Sequence, residues 1–112
     1  MKPGLAIAAC GWALFALPAA AAEPWPSRER RAELLSLVRQ DCGSCHGTMT
    51  MKGGLGPPLE PAALAGKDPE QMRFVILHGR RGTAMPPWSA LLTEPEAGWI
   101  VELLRKGLPD AR

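Results

Sequence analysis

Cys42-Gly43-Ser44-Cys45-His46 sets two thiols three positions apart, with an imidazole directly after the second. Two such thiols can form thioether bonds to the vinyl-derived carbons of a haem, and the imidazole can then ligate its iron. On a helix, positions i and i+3 share a face, so Cys42 and Cys45 would reach one edge of the porphyrin together. His46 would turn under the ring and offer Nε2 as the proximal ligand. The same short string also suits a redox-active dithiol, or structural zinc with His78 as a further ligand. Neither alternative has its usual company. A thioredoxin-like dithiol expects a βαβ setting, and zinc expects a second C-x-x-C or a pair of histidines.

If the cofactor is haem, the sixth iron position must be filled from the far side of the ring. Met49, Met51, Met72, His78 and Met85 are the candidates. Met49 and Met51 are too close to His46 in sequence to cross a porphyrin, and Met72 falls on a helical stripe where methionine usually packs. Met85 lies 39 residues beyond His46, in a loop stiffened by Pro86 and Pro87. Such a loop holds a thioether in place at low entropic cost, which makes Met85 the expected ligand and His78 the second candidate. Trp88, three residues beyond Met85, could donate its indole N–H to a haem propionate or pack against the ring.

Helices must position these groups. Ser27 can cap a first helix from Arg28 to about Cys42, with Leu34, Leu35, Val38 and Cys42 along one stripe. A loop follows from Gly47 to Gly56, then a short helical turn near Ala62 to Ala65. Asp68-Pro69-Glu70-Gln71 reads as a helix start with Gln71 completing a capping box, Met72, Val75 and Ile76 as its buried stripe, and Gly79 as its stop. A last helix runs from a Thr93–Glu96 capping box to about Lys106, with Trp99, Ile100, Leu103 and Leu104 facing inward. No stretch alternates with period two. The expected fold is all-α with long ordered loops.

The N-terminus points to export. Met1-Lys2, the apolar run Leu5 to Leu17, Pro18 and Ala19 to Ala22 have the form of a cleaved secretory signal over residues 1–22. The mature domain is then 23–112, and Cys10 is discarded with the leader. Its charge is nearly balanced: thirteen Lys/Arg less Lys2, against eleven Asp/Glu. That balance argues against nucleic acid as a partner. About ninety residues also bury a modest core, which a haem would enlarge.

Taken together, C-x-x-C-H after an N-terminal helix, Gly56-Pro57-x-Leu59, a Met-Pro loop and a C-terminal helix with an aromatic resemble a class I cytochrome c. The resemblance implies N- and C-terminal helices packed together around one covalently bound haem. It further implies that the Pro57 carbonyl accepts the Nδ1–H of His46, and that Trp99 sits where the first and last helices meet. Arg39 to Gly47, Gly53 to Pro57, Ile76 to Arg80 and Met85 to Trp88 are similar to the small periplasmic cytochrome c55X proteins of denitrification gene clusters. This likeness implies a partner in a cytochrome cd-type nitrite reductase or in the enzyme that completes its haem d cofactor.

The expected site is therefore haem c, attached through Cys42 and Cys45, with His46 and Met85 on the iron and Pro57 and Trp88 supporting. A His/Met pair saturates the iron and suits outer-sphere electron transfer by a monomeric periplasmic carrier without stable membrane association. The competing expectation is an open or displaceable distal ligand, as in gas sensing or catalysis.

Overall fold

The computed structural model describes residues 25–110, with Met1, Pro3, Gly4 and Ala16 as isolated positions. The expected signal over 1–22 thus lies almost wholly outside the described residues. Helix α1 spans Arg28–Leu37, and Ser27 caps it by accepting the Arg30 N–H at 3.2 Å. The helix does not end at Cys42 as its apolar stripe suggested. It widens into a π-helical turn over Val38–Cys42 and resumes as α2, Gly43–His46. A π-turn advances the chain by an extra residue per turn, so Cys42 is rotated away from the phase that α1 alone would give it. Gly47, with φ of 109°, ends the helical run.

Helix α3 is the single turn Pro61–Leu64, and α4 spans Pro69–His78. Asp68 caps α4 through the Glu70 N–H at 3.0 Å, while Gln71 is exposed and forms no reciprocal box. Helix α5, Glu94–Lys106, starts on the expected capping box: Thr93 and Glu96 each accept the other's backbone N–H.

Helix α5 is the centre of the packing. Its most extensive contact is with α4, and it also meets α3 and α1. The α1–α5 contact is the meeting of first and last helices that the fold expectation requires. Leu34, Val38, Leu64, Leu77, Leu92, Ala97, Ile100 and Leu104 form the core, and Trp99 is half-buried against it. Burying such side chains contributes roughly 1.5–3 kcal/mol each. Leu35 and Leu103 are half-buried, whereas Val101, which the expected stripe omitted, is buried. Met51 is another core residue, although its Gly-rich surroundings read as open loop. Arg30 ties α1 to α5 by donating from Nε to Glu96 Oε1 at 2.6 Å. No β-strand occurs among the described residues, as the absence of period-two alternation predicted.

Candidate functional site

The site begins where α2 runs out of helical partners. A helix leaves its last carbonyls unpaired, and here the following loop supplies donors. Gly53 N–H reaches the His46 carbonyl and Gly56 N–H the Cys45 carbonyl, both at 2.8 Å. Gly54 N–H then bonds the Gly56 carbonyl at 3.0 Å, and Leu59 N–H the Met51 carbonyl at 2.8 Å. The loop is thereby folded back over α2, with Met51 plugged into the core beneath it. Met51 holds a left-handed φ of 56° and Met49 one of 63°, conformations that burial of Met51 and these bonds sustain.

This wrapping brings His46 and Pro57 together. Their Nδ1 and carbonyl oxygen lie 2.7 Å apart. A carbonyl only accepts, so Nδ1 carries the proton and Nε2 keeps its lone pair for a metal. Gly56 lies close against the same ring. A Cβ at that position would lie 2.7 Å from His46 Cε1 and Nδ1, so only glycine lets the backbone approach the imidazole this closely.

Cys42 and Cys45 are both half-buried and carry free thiols. Burial, and then the charge of Asp41, push the Cys42 thiol up to about 11. Dithiol redox chemistry needs the opposite shift, towards the thiolate. Zinc also lacks its donor set: among the described residues no three of His, Cys, Asp and Glu gather to hold an ion. The thiol pair, the free Nε2 and the ring floor at Gly56 do fit covalent haem.

Met85 is half-buried in the loop that follows α4. Arg80 N–H donates to the Met85 carbonyl at 3.2 Å, Met85 N–H to Thr83 Oγ1 at 3.3 Å, and Trp88 N–H to the Ile76 carbonyl at 3.0 Å. Trp88 itself packs, half-buried, against the core. His78 is exposed in the last turn of α4 and packs against Phe74 with the rings tilted, their centroids 4.5 Å apart. Met72 is half-buried against the core, the role its stripe position suggested. Sequence reasoning missed the tight backbone approaches at Gly56 and Gly79. A glycine beside a ligand-bearing segment was the available signal.

Residues 29–104 match the family model described as cytochrome C oxidase, cbb3-type, subunit III. The chain is 58% identical over 81 residues to cytochrome c55X of Paracoccus denitrificans (strain Pd 1222), covering 72% of this chain and 78% of that protein. It is 49% identical over 105 residues to cytochrome c55X of Stutzerimonas stutzeri, covering 94% and 89%. A solved structure of the c-type cytochrome NirC superposes with a TM-score of 0.72 at 49% identity, covering 74% of this chain and 96% of that one. The dihydro-heme d1 dehydrogenase NirN, solved in complex with DHE, matches with a TM-score of 0.60 at 39% identity, over 69% of this chain and only 16% of its own length.

Proposed function

Because this chain belongs to the class I c-type cytochromes, and among them to the cytochrome c55X group, we propose that it carries single electrons in the periplasm of a denitrifying cell. In this reading residues 1–22 direct export and are removed, and one haem c is attached through Cys42 and Cys45. When bound, the haem supplies a one-electron ferric/ferrous couple.

The chain's own residues do the rest. Cys42 and Cys45, three apart across the start of α2, would hold one edge of the porphyrin through thioether bonds. Pro57 holds the His46 tautomer and ring angle, and the hydrogen bond raises the basicity of the imidazole as a ligand. Met85 would supply a thioether donor to the haem iron, which would leave no position for substrate and favour the reduced state over bis-His ligation. Trp88 packs, half-buried, against the core. The observation that carries this reading is the His46–Pro57 pairing beside two free thiols.

The partner is proposed from relatives. A domain similar to this chain forms part of a protein named for dihydro-haem d1 oxidation. That supports a partner in nitrite reduction: the cytochrome cd-type nitrite reductase, or the enzyme completing its haem d cofactor, met by a monomeric carrier. The test is expression to the periplasm with the haem-attachment machinery, followed by stopped-flow mixing with each candidate partner. A red product heavier than the mature chain by one haem, oxidised or reduced within seconds by one partner, is expected. A colourless product of bare peptide mass defeats the reading.

A further inference from the structure

The loop that bears Met85 is pinned at two places, across itself just after α4 and back onto the last turn of α4. Arg80 N–H bonds the Met85 carbonyl at one end, while Trp88 N–H and Ser89 N–H bond the Ile76 and Leu77 carbonyls at the other. Between these ties the chain passes over Gly79. A Cβ built on Gly79 would lie 2.6 Å from the Met85 carbonyl oxygen, 2.8 Å from the Pro86 carbonyl carbon and 2.9 Å from the Pro87 nitrogen. All three are main-chain atoms, so no flexible side-chain end can move aside. Gly79 also adopts φ 69° and ψ −173°, a region that is essentially closed to other residues.

We propose that Gly79 is a positioning residue for the Met85 thioether, its bare Cα letting the Met85–Pro87 backbone seat against the end of α4. The proposal rests on the ligand reading of Met85 given above. A methyl group at Gly79 forces the 85–87 backbone outward, and Pro86 and Pro87, with φ fixed by their rings, cannot absorb the shift locally. Met85 moves with its backbone. A thioether bonds iron weakly, so a small withdrawal is enough to release it.

Gly82 provides an internal control. It lies in the same loop with φ 74°, yet a Cβ there meets nothing within 4 Å. Gly82→Ala therefore introduces backbone strain without the contact. Thr83→Val offers a gentler route to the same end. It removes the hydroxyl that accepts the Met85 N–H and donates to the Arg80 carbonyl at 2.8 Å, at little cost in volume.

The experiment compares holoproteins carrying Gly79→Ala, Gly82→Ala, Thr83→Val and Met85→Ala. The readouts are the weak far-red ferric band of sulfur ligation and the affinity of the ferric protein for added imidazole. Gly79→Ala is expected to weaken the band and raise imidazole affinity about tenfold or more, because the competing ligand is released more often. Haem mass and helical circular dichroism should be retained. Gly82→Ala should stay within about twofold of the parent, with Thr83→Val in between. If Gly79→Ala does not yield holoprotein, Thr83→Val decides: parental imidazole affinity overturns the proposal. A parental band in Gly79→Ala, or equal effects of Gly79→Ala and Gly82→Ala, overturns it as well. Met85→Ala separates the two layers. Loss of the band there with none in Gly79→Ala removes the positioning role alone, whereas a parental Met85→Ala removes the ligand reading with it.

Discussion

The Pro57 carbonyl oxygen accepts the Nδ1–H of His46 across 2.7 Å, while Gly56, one residue earlier, presses its backbone against the same ring. One dipeptide thus sets both the tautomer and the tilt of the imidazole. Gly56→Ala puts a methyl group where the ring stands, so the ring must shift and the bond to Pro57 lengthen. The imidazole then donates less to iron, the ferric form loses support, and the midpoint potential should rise. Pro57→Ala keeps the carbonyl and should move the potential much less. Potentiometric titration of the two holoproteins checks this; equal shifts would count against it.

Met85→Ala should open the sixth position. The ferrous protein then binds carbon monoxide rapidly, the ferric far-red band disappears, and the midpoint potential falls as sulfur is lost. The parent should bind carbon monoxide slowly. Rapid binding by the parent would favour the open-site reading instead, and a Met85→Ala spectrum identical to the parent's would return His78 to consideration.

Most of the helical frame was readable because its signals are local. Ser27, Asp68 and Thr93 cap the helices they were expected to cap, and Gly79 and Gly107 end theirs. The pairing of His46 with the Pro57 carbonyl was legible as well, through family resemblance. What escaped depends on contacts between distant segments. The π-turn before Cys42 has no composition of its own. Met51 sits in a stretch rich in glycine and becomes core only because the 47–59 loop folds back over α2. Gly79 reads as a helix stop whether or not another backbone lies on it.

Leu34 is fully buried in α1, whereas its neighbour Leu35 is only half-buried. Leu34→Ala should cost ~2–5 kcal/mol through lost transfer energy and the cavity left behind. For a domain this small that lowers the melting midpoint by roughly 8 °C or more. Leu35→Ala should cost distinctly less. Thermal melts of the two holoproteins decide, and a similar loss in both would show that α1 packs in a different rotation.

Glu96 joins two structural tasks, and this gives the domain an acid-sensitive clamp. Its Oε1 accepts from Arg30 Nε on α1, and its Oε2 accepts the Thr93 N–H at the start of α5. The Arg30 hydrogen bond, helped by the capping bonds, holds the Glu96 carboxyl below its ordinary value of 4.5. A carboxylate whose folded pKa is depressed stabilises the fold above its unfolded pKa. That contribution is lost as pH falls through the folded value. Denaturant midpoints of the parent should therefore be flat near neutrality and fall below about pH 4.5 as α1 and α5 lose their tie. Glu96→Gln removes the charge at every pH, so it should lower the midpoint at pH 7 and flatten part of the acid slope. Arg30→Gln should act the same way, because it takes away the partner that depresses Glu96. The double variant should then add little to either single change, since residues sharing one bond are not additive. Full additivity in a denaturant series at pH 7, or an acid slope unaltered by Glu96→Gln, would place the acid sensitivity in other carboxylates.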